Sequence, residues 1–400
     1  MNDQAMITKS HAARDAGPIE RARALRPLIE RAAPEIEQNR SLSSDIFAAL
    51  HDANLFRLLL PRRFGGEELE PATFVATIEE IANADASTAW CVAQASGCSL
   101  AAAYLEPEVA RDIFGVARAV LAWGPFTPNA KATAVDGGYR VTGTWQYASG
   151  SRHAGWLGGH CVLVDAKGAP YLGADGKPVD RTMLFPRSSA KVSDVWQVMG
   201  LRGTGSDTYT VTDLFVPARY AYTREAIADR RENGALYRFS NYQIFGASFA
   251  GVALGIARAT LDAFVEMAAT KVPMLAVKPL QDNAVIQSQV AWAEARLQSS
   301  RTFLMQTLEQ MWDIVSRGET FTLQERAALR LASVYAIHQS KDVVDAAYQM
   351  AGGSAIFENQ AFERRMRDIH AVTQQVQAQL VNFEVVGQVL LGLPVTSKLI

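Results

Sequence analysis

Apolar residues recur at helical intervals along the first part of the chain. The residues that carry this spacing, which is typical of one face of amphipathic helices, are Ile29, Ile36, Ile46, Leu50 and Leu55. Segment 58–69 (LLLPRRFGGEEL) interrupts the pattern with a proline and two glycines, so we expect a loop there, after which helices resume. The pattern predicts an N-terminal helical domain over residues 1–120.

The pattern changes to short alternating runs over residues 121–235. Segment 133–149 (TAVDGGYRVTGTWQYAS) is divided by Asp136–Gly137–Gly138, which is a hairpin signal. Further strands are predicted within 156–165, within 171–186 and within 191–217, where two strands flank a glycine-containing link. We therefore expect an antiparallel β domain of about 100 residues.

Long amphipathic segments return over residues 236–400. Four of them, joined by short links, lie near 241–271, 283–316, 323–351 and 361–392. Short links favour antiparallel neighbours, so we predict a C-terminal four-helix bundle. The fold class is therefore α+β, in the order helical domain, β domain and bundle, and a bundle this long predicts a second apolar face that is used for oligomerisation.

Composition and charge exclude several classes of partner. The 400 residues include 39 Lys and Arg and 41 Asp and Glu, which leaves a formal net charge of −2 and no basic surface for nucleic acid or an anionic membrane. Two uncharged stretches, Ala86–Leu105 and Phe239–Ala257, contain polar residues and lack basic flanks, so we expect buried helices rather than membrane spans. A polar opening segment and three isolated cysteines favour a cytoplasmic protein.

Several chemistries have no motif in the chain. The histidines are scattered and there is no HExxH or CxxC pair, so no metal site is predicted. Neither a GxSxG elbow nor a Walker loop is present. The glycine-rich segment 200–205 (GLRGTG) lies between two predicted strands, whereas a dinucleotide-binding loop requires a turn from strand to helix.

Aromatic and small polar residues are concentrated in the β domain. Trp123, Trp145, Trp156 and Trp196 are four of the seven tryptophans, and Ser149 and Gly150 follow Tyr147. Indole planes, a hydroxyl and glycine backbone suit a flat heteroaromatic ligand such as a flavin. Core packing is the commoner use of aromatic residues on a sheet, so both interpretations stay open at this point.

Two longer motifs identify a family resemblance. Segments 196–217 (WQVMGLRGTGSDTYTVTDLFVP) and 347–368 (AYQMAGGSAIFENQAFERRMRD) resemble the strand and the loop-helix motifs of the acyl-CoA dehydrogenase superfamily. The resemblance covers nearly the whole chain. It implies a homotetramer (a dimer of dimers), a flavin between the β domain and the bundle, and a substrate channel beside the flavin ring.

The superfamily contains dehydrogenases, which use a glutamate base, and group D flavin monooxygenases. The two positions that resemble the sites of that base hold Val376 and Phe245, neither of which can accept a proton. Segment 143–156 (GTWQYASGSRHAGW) instead resembles the flavin-site strand of the monooxygenases. An oxidase or dehydrogenase with a displaced base remains the alternative, and a non-catalytic use of the fold is a third possibility.

The monooxygenase resemblance implies an oxygenase component. Such a component receives reduced FMN or FAD from a separate NAD(P)H:flavin reductase, and it oxidises its substrate with O2 through a flavin C4a-hydroperoxide. The link 272–282 lacks the arginine and phenylalanine of members that retain FAD, which favours a loosely held flavin. We expect hydroxylation or epoxidation of a small aromatic or heteroaromatic, indole-like substrate, or of one that contains a heteroatom.

The same resemblance assigns candidate site residues. Ser149 is expected near flavin N5, Gln375 occupies the place of the usual histidine, and His370 is the nearest histidine. Further candidates for cofactor contact are Trp123, Trp145, Tyr147, Gly150, Trp196, Arg202 and Thr204, with Gln349, Gly352 and Gly353 reaching the cofactor of a neighbouring subunit. Candidates for substrate contact are Trp90, Gln94, Tyr104, Phe126, Asn129 and Phe245.

Overall fold

The computed structural model describes residues 16–173 and 176–395, so most of the polar opening segment lies outside the described residues. Five helices come first: α1 (Pro18–Asn39), α2 (Ser44–Asp52), α3 (Pro71–Ala84), α4 (Ala86–Ser99) and α5 (Pro107–Phe114). The five apolar residues that carry the helical spacing are all buried in one core. Helix α2 is capped by the Ser43 side chain, which accepts a hydrogen bond from the backbone N–H of Ile46.

Helix α4 lies at the centre of the molecule. Every one of its residues is buried, and its N-terminus is capped by Asp85, whose carboxylate accepts from both the backbone N–H and the hydroxyl of Thr88. The first uncharged stretch is therefore an internal helix, as the sequence indicates. It contacts both the β domain and the C-terminal helices, so side chains on α4 can reach a site shared by all three parts.

Eight strands form one sheet in the order β6-β7-β3-β2-β4-β5-β8, with β1 paired to β4. The strands are β1 (Leu121–Trp123), β2 (Lys131–Val135), β3 (Gly138–Ala148), β4 (Trp156–Val164), β5 (Asp180–Pro186), β6 (Lys191–Ser193), β7 (Asp207–Pro217) and β8 (Ala221–Tyr222).

The sheet is mixed, which corrects the prediction of an antiparallel β domain. Strand β4 runs parallel to both β1 and β2, whereas the hairpin β2–β3 and the other pairs are antiparallel. The chain leaves β3 through residues 149–155 and re-enters the sheet where the backbone N–H groups of Gly155 and Trp156 donate to the carbonyl of Val120. This crossing sets β4 alongside β1 in the same direction, and it leaves Ser149 outside the strand.

The C-terminal part contains three long helices, α6 (Asn241–Thr270), α7 (Ala284–Ser316) and α8 (Leu323–Ala351). Helix α6 is long and apolar enough to cross a membrane, but 94% of its most apolar window is buried inside the protein. It packs on α3, α4 and α8, as the core helix of a soluble protein does.

The predicted fourth bundle helix is two short helices, α9 (Glu363–Val372) and α10 (Val381–Leu390). In the turn between them, side chains bond to backbone groups in place of the regular backbone hydrogen bonds of a helix. The Gln375 side chain accepts from the backbone N–H of Gln377, and the Asn382 side chain donates to the carbonyls of Val376 and Gln379. Such side-chain bonds offer the backbone an alternative to the helix, which explains why amphipathic spacing alone misses the break.

Candidate active site

The site is built around Ser149, which is positioned by an irregularity at the end of β3. The pairing of β3 with β7 shifts register between Trp145 and Ala148, and Tyr147 takes a left-handed backbone conformation with φ of 59°. A bulge of this kind re-aims the side chains that follow it. As a result, Tyr147 is exposed while Ala148 and Ser149 turn inward and are buried.

The Ser149 hydroxyl meets the helical domains through Trp90 of α4. The indole Nε1 of Trp90 donates to Ser149 Oγ at 3.0 Å. The same indole stacks on the ring of Phe249 from α6, with the centroids 3.8 Å apart and the planes 5° from parallel. The N-terminal helices, the sheet and the C-terminal helices therefore meet at one buried polar atom.

A row of hydroxyls continues from Ser149 into the turn that precedes β7. Ser149 Oγ lies 2.7 Å from Ser206 Oγ, which lies 2.7 Å from Thr204 Oγ. The Thr204 hydroxyl donates to the carbonyl of Leu201 at 2.8 Å. All of these side chains are buried, and buried hydroxyls are normally satisfied in this way.

Helix α9 holds that turn in place. Asp368 accepts from the backbone N–H of Leu201 at 2.6 Å, and Arg367 donates to the carbonyl of Met199 at 2.6 Å. A Cβ on Gly200 would lie 2.2 Å from the Arg367 carbonyl oxygen, so the approach requires glycine. Burial raises the pKa of Asp368 to about 7.

Aromatic side chains and one amide form the wall beside Ser149. Phe245 of α6 packs so closely on α4 that a Cβ on Gly97 would lie 2.4 Å from its ring, and its ring centroid is 5.7 Å from that of Phe249. Gln94 of α4 donates to the carbonyl of Trp123 at 3.3 Å. The wall is apolar except for this amide, so it suits a small aromatic molecule with few polar groups.

The outer edge of the site is open. Tyr147, 58% exposed, meets the ring of Trp196 edge-on with a centroid distance of 6.2 Å. Trp196 is anchored because its indole N–H donates to the Leu201 carbonyl. Gly150 has a positive φ, and a Cβ there would meet no atom within 4 Å. Aromatic faces and free space beside a buried hydroxyl fit a flat heteroaromatic cofactor.

The structure thus brings together nine of the predicted site residues, with Trp123 joined through its backbone carbonyl while its indole packs on His160. They are Trp90, Gln94, Trp123, Tyr147, Ser149, Gly150, Trp196, Thr204 and Phe245. Sequence reasoning missed Ser206 and Phe249. Ser206 could have been found because it lies in segment 196–217, which carries the family resemblance, whereas Phe249 carries no signal beyond its place one helical turn after Phe245.

Other predicted contacts lie apart from Ser149. Trp145 is fully buried inside the sheet, where it stacks on Tyr209 and its indole N–H donates to the carbonyl of His160, so no face is left for a ligand. Tyr104 stacks on Tyr222, and burial raises the pKa of Tyr104 to about 12.

Three more predicted residues are on the surface. Phe126 and Asn129 are exposed on the loop between β1 and β2. Arg202 is exposed and donates to the carbonyl of Val198. They can contact a ligand bound at Ser149 only if that ligand extends to the surface.

The two other catalytic candidates differ in their surroundings. His370 is paired with Asp345 of α8 at 2.9 Å, and Lys341 shares that carboxylate, so the histidine is part of a charged helix contact. Gln375 has a buried amide nitrogen with no hydrogen-bond partner among the described residues. An unsatisfied buried donor is unusual, and it leaves Gln375 able to donate to a bound group.

The remaining cofactor candidates lie at the end of α8. Gln349 lines an exposed groove together with Trp292 of α7, and Gly352 and Gly353 face open space. Across the described ranges, 16–173 and 176–395, no three histidine, cysteine or carboxylate side chains are grouped as metal ligands would be. Cys91, Cys98 and Cys161 are buried and free.

Two family models match the chain: "Acyl-CoA dehydrogenase, N-terminal domain" over residues 21–109 and "Acyl-CoA dehydrogenase, C-terminal domain" over residues 247–379. Together they account for both helical parts. They leave out the whole β domain, which holds Ser149 and the hydroxyl row.

Relatives of known activity match over most of their length. An indole-3-acetate monooxygenase from Pseudomonas putida is 32% identical over 90% of this chain and 89% of its own. The oxygenase subunit HsaA, a flavin-dependent monooxygenase from Rhodococcus jostii (strain RHA1), is 28% identical over 88% and 92%. The crystal structure of a 3-HSA hydroxylase from Rhodococcus sp. RHA1 superposes with a TM-score of 0.88 at 25% identity, covering 97% of this chain and all of that one.

Proposed function

This chain belongs to the acyl-CoA dehydrogenase family, in its branch of flavin-dependent monooxygenase oxygenase components, and on that premise we propose its reaction and its site. The chain takes reduced FMN or FAD from a separate NAD(P)H:flavin reductase and uses O2 to hydroxylate or epoxidise a small aromatic or heteroaromatic ring. The observation that carries the proposal is the buried Ser149 hydroxyl, which contacts Trp90, itself stacked on Phe249, on one side and lies near the exposed Tyr147 at the outer edge.

The flavin would lie along the edge formed by Tyr147, Gly150 and Trp196. When bound, reduced flavin supplies the electrons with which O2 is activated. Ser149 holds a polar edge of the ring, and the glycine leaves room for it. Trp90 and Phe249 close the inner side and exclude water, which protects a reactive site from side reactions.

The pocket favours an indole-like substrate. Phe245 and Phe249 are stacked aromatic rings, and Gln94 contributes a buried amide from the neighbouring helix α4. A flat ring with one polar group would match this lining. The relative from Pseudomonas putida is named for its action on indole-3-acetate, which supports a substrate of this class.

A dehydrogenase-like reaction lacks its base. Val376 is apolar and partly exposed, and Phe245 is an aromatic wall of the pocket. Asp368 has a raised pKa, but its carboxylate accepts from the Leu201 backbone and is buried behind the turn. No observation favours proton abstraction from a thioester at this site.

The proposal includes a homotetramer in the cytoplasm. Large apolar side chains are exposed on α7 and just after α8, among them Val285, Trp292, Ile356 and Phe357. Covering them with a second copy would remove apolar surface from water. It would also bring Gln349, Gly352 and Gly353 to a neighbouring site. The three unpaired cysteines fit a reducing compartment.

Isotope incorporation tests the function. The protein is mixed with photoreduced FMN, indole-3-acetate and ¹⁸O₂, and the product is analysed by mass spectrometry. We expect one labelled oxygen atom per product. Ser149→Ala should reduce product per flavin oxidised several-fold, while Ser300→Ala, which removes a buried hydroxyl that bonds only within α7, should not.

Two results would contradict the proposal. Unlabelled product would show that its oxygen does not come from O2, and bleaching of oxidised flavin by an acyl-CoA in the absence of O2 would assign the chain to dehydrogenation instead.

A further inference from the structure

Four hydrogen-bond contacts link the row of hydroxyls that begins at Ser149. Four protons are available for them, one for each contact. The contacts are Trp90 to Ser149, Ser149 to Ser206, Ser206 to Thr204, and Thr204 to the Leu201 carbonyl. The indole nitrogen can only donate, and a carbonyl can only accept. These two ends therefore fix the direction of the hydrogen bonds between them.

One arrangement places a proton in every contact. Thr204 donates to Leu201, so it accepts from Ser206, and Ser206 in turn accepts from Ser149. The reverse arrangement would leave the Thr204 oxygen 2.8 Å from the Leu201 carbonyl oxygen with no proton between them. Buried oxygens at that distance without a proton are unfavourable, so the row runs from Trp90 towards Leu201.

This direction decides what Ser149 can offer to a ligand. Its proton points to Ser206, and one of its two lone pairs receives the Trp90 N–H. Among the residues that the structure describes, no other partner approaches this hydroxyl. What remains is a single lone pair, so Ser149 is an acceptor and the group that meets it must be a donor.

We infer that Ser206 and Thr204 are positioning residues that make the site select reduced over oxidised flavin. The inference rests on the proposed function, which places Ser149 beside the flavin ring. A reduced isoalloxazine carries an N–H where the oxidised ring has a bare nitrogen. An acceptor hydroxyl satisfies the first and opposes the second, whereas a freely rotating serine would satisfy both.

The burial of the row supports this role. Ser149, Ser206 and Thr204 are all nearly inaccessible to solvent, so solvent cannot reorient the hydroxyls at low cost. The Leu201 end is also held from outside, because Asp368 accepts from the Leu201 backbone N–H and Trp196 donates to the Leu201 carbonyl. The direction is thus set by protein groups at the two ends of the row, and not by the ligand itself.

Anaerobic titration with oxidised and with photoreduced FMN tests the inference. The readout is the ratio of the two dissociation constants, which does not depend on turnover. Ser206→Ala removes the acceptor of the Ser149 proton. Thr204→Val removes the acceptor of the Ser206 proton, so Ser206 can donate back to Ser149. In both variants the Ser149 proton is no longer held away from the ligand. Both should lower the preference for reduced FMN by about fivefold to tenfold, the worth of roughly one hydrogen bond.

Trp90→Phe separates this effect from simple loss of packing. It removes the first donor but leaves Ser149 bonded to Ser206, so the ratio should stay within about twofold even if both affinities fall. Ser300→Ala, remote from the site, controls for the loss of a buried hydroxyl. Circular dichroism confirms that each variant is folded.

Two results would contradict these proposals, and they can be told apart. An unchanged ratio in folded Ser206→Ala and Thr204→Val proteins that still bind FMN overturns the inference and leaves the proposed function intact. A wild-type protein that binds neither form of the flavin overturns the proposed function and the inference with it.

Discussion

At the scale of the residue, the roles of three tryptophans follow from the group that accepts a hydrogen bond from each indole N–H. Trp145 bonds to the carbonyl of His160 inside the sheet and serves packing alone. Trp90 bonds to the Ser149 hydroxyl, and Trp196 bonds to the Leu201 carbonyl at the rim. The residue type is the same in all three, and the acceptor distinguishes core from site.

Gln375 is expected to limit the loss of reduced flavin to H2O2. Its amide nitrogen is buried and has no partner among the residues that the structure describes, so a bound oxygen-containing group is expected to accept from it. Gln375→Ala should therefore raise the share of reduced flavin that ends as H2O2 several-fold, because the proposed donor to the oxygen chemistry is lost. The measurement is H2O2 released per flavin oxidised, in the presence of substrate.

The neighbouring residue provides the control for this variant. Gln374 is exposed and bonds to Thr373, so Gln374→Ala should leave the coupling as it is. Equal H2O2 release from Gln375→Ala and wild type would remove Gln375 from the mechanism. A melting temperature is needed beside it, because the Gln375 side chain also accepts from Gln377 in the turn.

At the scale of the element, helix α9 acts as a clamp on the turn that supports the hydroxyl row. Its Asp368 carboxylate sits under Leu201, with Asp85 and Glu37 opposing its charge and Arg364 favouring it. Burial is the largest cause of the raised pKa. The clamp therefore loses stability as pH rises and the buried carboxylate is forced to ionise.

Asp368→Asn tests this clamp. The folded pKa of about 7 lies above the unfolded value near 3.9, so the native state binds the extra proton between those values. The stability that protonation provides is present below about pH 4 and is lost as pH rises through 7, by about 4 kcal/mol at most. Asparagine can still accept from Leu201 without a charge.

The measurement is the melting temperature of both proteins from pH 5 to pH 8. Wild type should lose stability relative to Asp368→Asn across this range, and Asp313→Asn, at an exposed position on α7, should follow wild type. A difference between wild type and Asp368→Asn that does not vary with pH would show that the carboxylate is not the group that titrates.

Sequence reasoning reached the order of helices and strands because each element repeats its own period over many residues. It did not reach features set by single contacts between distant segments. The shift at Tyr147 depends on pairing with β7, and the break between α9 and α10 depends on the side chains of Gln375 and Asn382. Ser149 and Ser206 each lie in a segment that carries the family resemblance, whereas the contact between them is defined only by the fold.

At the scale of the whole molecule, a single chain leaves large apolar side chains exposed to solvent. Trp292 on α7 is 68% exposed and borders the groove that Gln349 lines. A tryptophan this exposed beside a polar residue at a helix end is typical of a contact between subunits. If the neighbour completes the flavin site through that helix end, assembly and cofactor affinity are coupled.

Trp292→Arg is the variant that separates these effects. Removing an aromatic anchor and adding a charge should shift the protein from the proposed tetramer to smaller species at micromolar concentration, as measured by size-exclusion chromatography with light scattering. Reduced FMN should bind several-fold more weakly to the dissociated protein, since each site would then lack the residues proposed to come from its neighbour. Val135→Arg, at an exposed position on the β2–β3 hairpin, should change neither quantity.

A Trp292→Arg protein that remains tetrameric would place the subunit contact on another face. A Trp292→Arg protein that dissociates but keeps its flavin affinity would show that each chain builds its site alone.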